Sequence, residues 1–244
     1  MRDRFFVAGV HAQGDRIAFA ADDAHKLRSV LRKRTGDRVE VVDSGGAAYT
    51  ALLEISQRAV AARLEAPLDR PAVETRLRVT LAQALPKGQK MDFVVEKATE
   101  LGVRAIVPVR SARVIATETS DAKRERWQRI AKSAAQQSGR TVVPEIGPIV
   151  SWDTLLTTFA SYDRVYVPWE LAPPVPLRDV LARSAHDAES ILFVIGPEGG
   201  FAADEIARAT AAGATVISLG RRILRTETVA LVLLSALAYE RGDL

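Results

Sequence analysis

The pattern of hydrophobic and polar positions changes near residue 70 of the chain. Before that point, residues 37–44 (DRVEVVDS) and 48–55 (AYTALLEI) alternate apolar and polar positions, as a half-buried strand requires. Three further strand patterns cover residues 4–9, 16–20 and 60–68, and a helical pattern covers residues 22–32. These elements predict a small β-barrel over residues 1–70.

Short apolar runs followed by helical patterns fill the rest of the chain. Runs such as ILFVI (191–195) show no alternation, which indicates a parallel sheet covered by helices on both faces. The predicted strands cover residues 78–85, 105–109, 164–169, 191–195 and 215–219, and the predicted helices cover residues 89–101, 121–138, 177–185, 203–212 and a last helix from about 227. We therefore predict an α/β domain over residues 76–244, after a proline-containing linker at 69–75.

Three of these helices carry apolar positions that predict how they are buried. The first stripe consists of Met91, Val94, Val95, Ala98 and Leu101, and the second of Trp127, Ile130, Ala131 and Ala134. Both stripes are interpreted as core. The last helix is apolar nearly all round over residues 229–239, so we expect it to be buried on more than one side.

Composition narrows the class of protein. The 244-residue chain is 48% hydrophobic and 26% charged, which is ordinary for a globular protein. Its longest uncharged apolar run, residues 229–239, is shorter than the roughly 18 residues of a membrane span, and its first residues lack the apolar segment of a secretory signal. We therefore expect a cytoplasmic protein. The chain has no cysteine, and its histidines (His11, His25, His186) are not clustered, so we expect no metal.

Basic residues are clustered although the net charge is only +4. Residues 26–38 contain six Lys or Arg against the single acid Asp37. A second cluster consists of Lys123, Arg124, Arg126, Arg129, Lys132 and Arg140. Such clusters suit a phosphate backbone, although each alone is equally typical of a solvated helix face.

Two apolar strands near the C-terminus end in glycines. They read IGPEGGF (195–201) and TVISLG (215–220), and RRILRTET (221–228) leads from the second into the last helix. Glycine leaves backbone amides bare, so two such loops close together can hold an adenosyl group through main-chain hydrogen bonds. A GPEGG stretch alone is more often a plain turn. Neither a GxxxxGK[ST] pattern nor a helix-opening GxGxxG is present.

This arrangement resembles the C-terminal signature of the SPOUT (trefoil-knotted) methyltransferases, and closely that of the bacterial 16S ribosomal RNA (uracil-N3)-methyltransferase family. The stretches that carry the resemblance are RFF (4–6), HKLRSVLRKRTGD (25–37), KGQKMDFVVEKATELGV (87–103), ERW and QQSGR between residues 125 and 140, and the two glycine loops. They cover nearly the whole chain in order. The resemblance implies a C-terminal trefoil-knot parallel α/β domain, an N-terminal PUA-like β-barrel that binds RNA, and a homodimer.

The resemblance also implies S-adenosyl-L-methionine as the cofactor and the imide nitrogen (N-3) of a uridine in 16S ribosomal RNA as the methyl acceptor. The cofactor residues that it implies are Gly196, Pro197, Glu198, Gly199, Leu219, Gly220, Ile223, Leu224, Arg225 and Thr228. The ribose 2′-O-methyltransferases of the same superfamily usually carry Ser-Leu-Asn where this chain reads LRTET, which favours base methylation. Two alternatives stay open: a methyltransferase for another RNA position, and a non-catalytic RNA-binding factor in ribosome assembly.

The acceptor chemistry indicates three candidate catalytic residues. A protonated imide nitrogen is a poor nucleophile, so its methylation needs the proton removed or the resulting negative charge stabilised. Arg225 is the candidate for stabilising the anion, and Glu227 and Glu198 are the candidate proton acceptors. The alternative for Glu227 is structural, because Thr226 and Glu227 start the last helix, where an acid favours the helix dipole.

The resemblance assigns RNA contacts chiefly to the N-terminal domain. The candidates are Arg4, His25, Arg28, Arg32, Lys33 and Arg34, joined by Gln137 and Arg140 near the end of a helix in the second domain. His25 has the alternative of anchoring the barrel. Gln137 and Arg140 have the alternative of forming a plain polar helix end, which Gly139 favours.

Overall fold

The computed structural model describes residues 3–68, 73–111, 121–173, 175–184 and 188–244. The chain divides into two compact units, the first comprising Met1–Glu74 with Ala135–Val142 and the second comprising Thr75–Ala134 with Val143–Leu244. Part of the predicted linker (69–72), residue 185 of a predicted helix and His186 lie outside the described residues.

The first unit contains a five-stranded sheet. Its strands are β1 (Arg4–Phe6), β2 (Arg16–Ala18), β3 (Arg38–Val42), β4 (Ala48–Ile55) and β5 (Val60–Pro67), in the order β1-β3-β4-β5-β2. β1 and β3 are parallel and the other pairs are antiparallel. All five strands were predicted. Because β1 and β2 form the two edges, the described strands make an open sheet rather than the closed barrel expected from the sequence.

One helical segment packs into this sheet. Helix α1 (Ala21–His25) continues as a π-helical segment, Lys26–Val30, and Leu27 is fully buried in the core of the unit. Two residues after this segment lies Arg32, the only non-glycine among the described residues with a positive φ (51°). The backbone N–H of Lys33 donates to the carbonyl of Leu27 at 2.9 Å and closes the helix end.

The second unit is built on a parallel sheet of seven strands. They are β6 (Arg78–Ala84), β7 (Ala105–Arg110), β8 (Glu145–Ile146), β9 (Val150–Ser151), β10 (Arg164–Pro168), β11 (Ser190–Ile195) and β12 (Thr215–Ile217). Their order is β12-β10-β11-β6-β7-β8, and β9 also pairs with β7. The predicted α/β class and its parallel sheet are confirmed. The two-residue strands β8 and β9 are too short to produce a periodic signal, and they were not predicted.

Helices cover both faces of this sheet. They are α2 (Lys90–Glu100), α3 (Asp121–Ser138), α4 (Trp152–Leu156), α5 (Leu177–Ser184), α6 (Ala203–Ala211) and α7 (Thr226–Arg241). Along β11, Ile191, Phe193 and Ile195 belong to the core shared with α2, α3, α5 and α7. Leu192 and Val194 belong to the core shared with α4 and α6. The uninterrupted apolar run of this strand therefore has the predicted cause, which is burial on both faces.

The predicted helix stripes lie in the core. Of the first stripe, Met91, Val94, Val95 and Ala98 are buried and Leu101 is partly buried against the same cluster. Of the second, Trp127, Ala131 and Ala134 are buried and Ile130 is partly buried. Helix α7 packs against α2, α5 and β11, as its apolar character predicted. Another apolar stripe of α7 lies outside this core. In it, Leu231 and Val232 are half-buried and Tyr239 is 75% exposed. Among the described residues, no helix combines the length and apolar character needed to span a membrane.

Candidate functional site

The carboxyl ends of β10, β11 and β12 lie side by side, and the loops that follow them surround one cavity of about 510 Å³. The lining comes from Lys90, residues 168–170 after β10, residues 195–201 at the end of β11, residues 218–225 after β12, and Thr226 and Val229 in the first turn of α7. Open α/β sheets bind ligands at the carboxyl ends of their strands, and small-molecule sites have volumes of roughly 300–1,000 Å³. This cavity is therefore the candidate site.

The cavity unites the two predicted glycine loops. Its lining includes Gly196, Pro197, Glu198, Gly199, Leu219, Gly220, Ile223, Leu224 and Arg225, which are all the predicted cofactor residues except Thr228. Thr228 lies in the first turn of α7, where its N–H donates to the Arg225 carbonyl at 2.8 Å.

Backbone geometry explains why glycines stand in these loops. Gly200 has a φ of +65° and Gly220 a φ of +91°, conformations that side chains with a Cβ rarely adopt. A Cβ at Gly196 would lie 3.1 Å from the Phe201 ring, so this glycine allows the ring to pack over the loop. A side chain at Gly200 or Gly220 would therefore strain the backbone, and one at Gly196 would crowd the Phe201 ring.

A buried hydroxyl joins the first glycine loop to helix α7. The Thr226 hydroxyl donates to the Gly196 carbonyl at 2.6 Å and accepts from Nε2 of Gln83 at 2.8 Å. Gln83 is fully buried near the end of β6, and Thr226 is 5% exposed. Thr226 starts α7, as the sequence predicted. In the structure Arg225 is the N-cap residue, and the Thr226 side chain ties three elements together.

Lys90 lies between the two candidate carboxylates. Its Nζ is 3.1 Å from Glu198 Oε1 and 3.5 Å from Glu227 Oε2. The hydrogen bond with Glu198 is the main reason that the pKa of Lys90 is raised, and it outweighs the effect of desolvation. Desolvation acts to raise the pKa of Glu198, but hydrogen bonds from the Lys87 N–H, its own N–H and Lys90 outweigh it and lower that pKa. Glu198 is therefore ionised, and these hydrogen bonds hold its carboxylate in place.

The three candidate catalytic residues are not equivalent. Arg225 and Glu198 line the cavity. Glu227 does not line it, but it forms an ion pair with the cavity residue Lys90. Arg225 is exposed, and its side chain has no hydrogen bond or ion pair with any described residue. Its backbone carbonyl accepts the N–H groups of Thr228 and Val229, which fixes where the side chain leaves the helix.

Two predicted RNA-binding arginines are buried in ion pairs of the first unit. Arg4 is 5% exposed and donates to Glu40 at 2.9 Å and to the Arg140 carbonyl at 2.8 Å. Arg140 is 3% exposed and donates to Glu74 at 2.7 Å. Guanidinium groups that are buried and paired in this way are not available to a phosphate. Both arginines therefore have a structural role in the fold of the unit.

The other predicted RNA-binding residues lie at or near the surface of the first unit. His25, Arg32, Arg34 and Gln137 are exposed. Lys33 is half-buried and pairs with Asp3 at 2.9 Å, and half-buried Arg28 donates to the Ser56 carbonyl.

Several residues of the cavity were missed by the sequence analysis. Among them are Lys90, Trp169, Glu170 and Thr226, and Gln83 lies next to Thr226. Lys90 lies within the KGQKMDF stretch that carried the resemblance, and Glu170 directly follows the end of a predicted strand, so both positions had a usable signal. Gln83 had none, because a glutamine in an apolar strand does not reveal its partner. In the part of the chain that is described, no group of three or more acidic or histidine side chains could hold a metal ion.

Comparison with known proteins identifies the class of protein to which this chain belongs. The model of the family described as RNA methyltransferase domain matches residues 73–238, which include the whole parallel sheet and the cavity. A ribosomal RNA small subunit methyltransferase E from Bacillus subtilis is 32% identical over 237 residues, which are 93% of each chain. Its counterpart from Synechocystis is 34% identical over 224 residues, 91% of this chain and 73% of that protein.

A solved structure agrees with these matches over the full chain. It is a ribosomal RNA small subunit methyltransferase E from Neisseria gonorrhoeae bound to S-adenosyl methionine, with 32% identity, a TM-score of 0.88 and coverage of 98% of both chains. The chain described here therefore belongs to the ribosomal RNA small subunit methyltransferase E family. The family inferred from the sequence is confirmed.

Proposed function

We propose that this protein is an S-adenosylmethionine-dependent methyltransferase that methylates N-3 of a specific uridine in the 16S ribosomal RNA of the small subunit. One observation carries the proposal: the cavity at the strand ends is formed by the two glycine loops, in a chain whose family includes a structure bound to S-adenosyl methionine.

The residues of the cavity fit a nucleoside cofactor. Its volume of about 510 Å³ is in the range of small-molecule sites. The glycine loops at 196–200 and 219–220 offer main-chain groups that an adenosyl group can approach closely. When bound, the cofactor supplies a methyl group activated by a positively charged sulfur. The residues proposed to hold it are those of the two loops with Ile223, Leu224 and the backbone of Arg225.

Two side chains of the cavity have different proposed roles in activating the methyl acceptor. Arg225 supplies positive charge beside the donor, where it stabilises the anion of the uracil imide. Glu198 lines the cavity and accepts the imide proton. A carboxylate with a lowered pKa is a weak base, so we assign most of the rate enhancement to Arg225. Glu227 contributes indirectly, because its ion pair with Lys90 holds that side chain in place.

The first unit is proposed to bind the RNA as a PUA-like module. Exposed cationic and polar side chains suit phosphates and unpaired bases, and the target uridine must leave its stack to reach the donor. The proposed contacts are His25, Arg28, Arg32, Lys33, Arg34 and Gln137. We further propose a trefoil-knotted chain path in the second unit, a homodimer formed through α7 and a cytoplasmic location, where ribosomal RNA is modified.

The test is methyl transfer to small subunits from cells that lack this protein. With labelled S-adenosylmethionine, we expect label in 16S RNA and 3-methyluridine as the product by nucleoside mass spectrometry. Small subunits from cells that contain the protein serve as the control, because their target uridine is already methylated and takes up no label.

Each other result points to a different function. A 2′-O-methyl nucleoside or a different methylated base would identify a methyltransferase for another RNA position. Binding of adenosylhomocysteine and of RNA without any transfer would identify a non-catalytic assembly factor. Either result would contradict the proposal.

A further inference from the structure

Glu170 is an acidic side chain of the cavity with no role in the chemistry proposed above. It follows the end of β10 and lines the cavity with Pro168 and Trp169. Its carboxylate lies against the first glycine loop: a Cβ at Gly200 would be 2.7 Å from Oε1 and 3.2 Å from Oε2 of Glu170. Gly200 therefore leaves room for both oxygens of this carboxylate beside the loop.

The Glu170 carboxylate has no hydrogen bond or ion pair with any residue that the structure describes. It differs in this from Glu198 on the same wall, which accepts from the Lys87 N–H at 3.0 Å and from Lys90 at 3.1 Å. Glu170 is exposed, so water reaches it in this state. A ligand in the cavity would cover it, and a covered carboxylate needs donors.

The donors must come from the part of the ligand next to the glycine loop. In the proposed complex this loop holds the nucleoside through its backbone, so the neighbouring group is the ribose. Two vicinal hydroxyls match two carboxylate oxygens that lie side by side, in the way that an acidic residue binds the ribose of dinucleotide cofactors. Arg221 and Arg222 line the same cavity and provide partners for the carboxylate at the other end of the donor.

We infer that the Glu170 carboxylate accepts hydrogen bonds from the ribose hydroxyls of the methyl donor and so selects a nucleoside with an intact diol. This inference rests on the proposed function, and it adds a specificity-determining residue to the cofactor site.

The experiment is calorimetric binding to wild-type protein, Glu170→Gln and Glu170→Asp with three nucleosides. S-adenosylhomocysteine carries the diol and the amino-acid group, its 2′-deoxy analogue lacks one hydroxyl, and 5′-methylthioadenosine lacks the amino-acid group. A neutral amide replaces a charge-assisted hydrogen bond by a weaker one, so we expect Glu170→Gln to bind adenosylhomocysteine and methylthioadenosine about tenfold more weakly. For the 2′-deoxy analogue the difference should fall below about threefold.

The matched control is Glu145→Gln, which removes an exposed carboxylate of the second unit that does not line the cavity. It should bind all three nucleosides as the wild type does. An equal loss with the 2′-deoxy analogue, or no loss with adenosylhomocysteine, would overturn the inference. Normal binding of methylthioadenosine by Glu170→Gln would also overturn it, since the carboxylate would then serve the α-ammonium group.

Titrations of the wild-type protein distinguish a failure of this inference from a failure of the proposed function. If the wild-type protein binds none of the three nucleosides, the proposed function fails and the inference fails with it. If the wild type binds them and Glu170→Gln does so equally well, the inference alone is wrong.

Discussion

At the scale of single residues, Arg225 has a position that suits catalysis better than stability. Its side chain is exposed, lines the cavity and makes no hydrogen bond or ion pair with a described residue, while its backbone carbonyl belongs to the start of α7. Truncating the side chain therefore removes a charge from the cavity without breaking a hydrogen bond or ion pair among the described residues.

We predict that Arg225→Ala lowers kcat for methyl transfer to small subunits about 100-fold, the effect of losing one preorganised donor to a developing anion. The affinity for adenosylhomocysteine should stay within about threefold, because the backbone of Arg225 is unchanged. The control is Arg178→Ala, which removes an exposed arginine of α5 that does not line the cavity. Full activity of Arg225→Ala would exclude it as the anion-stabilising group.

A second residue-scale effect concerns Glu74 in the first unit. Burial acts to raise the pKa of Glu74, but the hydrogen bond and charge of Arg140 and the N–H groups of Thr141 and Val142 outweigh it, so this pKa is lowered from its ordinary value of 4.5. A carboxyl with a lowered folded-state pKa stabilises the fold above its unfolded-state pKa. That stabilisation is lost as the pH falls through the folded-state value.

We predict that Glu74→Gln lowers the free energy of unfolding by about 2 kcal/mol at neutral pH, less than for a fully buried pair because Glu74 is partly exposed. The difference from the wild type should shrink as the pH falls below 4.5. Urea unfolding followed at a series of pH values measures it. A difference that stays constant down to the acid limit would mean that Glu74 is not ionised in the folded unit.

At the scale of elements, the site depends on a contact among β6, the first glycine loop and α7. The Thr226 hydroxyl accepts from Gln83 and donates to Gly196, and all of these groups are shielded from water to a large degree. An unpaired polar group in such a place costs more than an ordinary hydrogen bond contributes. The contact therefore fixes where the loop lies relative to the start of α7.

We predict that Thr226→Val, which keeps the shape of the side chain, lowers the free energy of unfolding by about 1–3 kcal/mol. It should also weaken adenosylhomocysteine binding, because the Gly196 loop loses its anchor. The control is Thr215→Val on the exposed edge strand β12, where the change should stay within about 0.5 kcal/mol. Unchanged stability together with unchanged binding would show that the bridge contributes to neither.

At the scale of the whole molecule, α7 leaves an apolar stripe outside the core. Leu231 and Val232 are half-buried and are absent from the cluster that buries Leu233 and Leu234, and Tyr239 farther along is 75% exposed. The stripe begins within one turn of the cavity-lining Val229. A second copy of the chain that covered this stripe would complete the burial expected for so apolar a helix.

We predict that Leu231→Glu converts the proposed homodimer to a monomer, since a charge at an apolar interface is left without a partner. Sedimentation velocity measures the change, and methyl transfer should fall with it if the interface supports the adjacent cavity. Glu240→Gln, at an exposed position near the end of α7, is the control and should remain dimeric. A wild-type protein that sediments as a monomer at every concentration would contradict the homodimer.

Periodicity and motif spacing were sufficient for the elements that are long or strongly patterned. The strand β4 and the helices α2 and α3 were predicted from hydrophobic spacing, because that spacing repeats several times within each element. The strand β11 was predicted from an unbroken apolar run instead. The helix α4 and the strands β8 and β9 were not predicted, because two to five residues cover little more than one period and leave no repeat to detect. The π-helical turn at Lys26–Val30 was predicted as an ordinary helix, since its apolar positions do not distinguish the two.

The sequence by itself determined the α/β class, the family and the two glycine loops of the cavity, because glycines that follow apolar strands mark bare backbone wherever they occur. Only the tertiary structure decided which side chains meet. It assigned Arg4 and Arg140 to buried ion pairs, linked Gln83 to Thr226 across 143 positions of the chain, and placed Glu170 against Gly200. The physical reason is that periodicity reports the local backbone and the face that is buried. Charge pairing and hydrogen bonding depend on distances between segments that only the folded chain brings together.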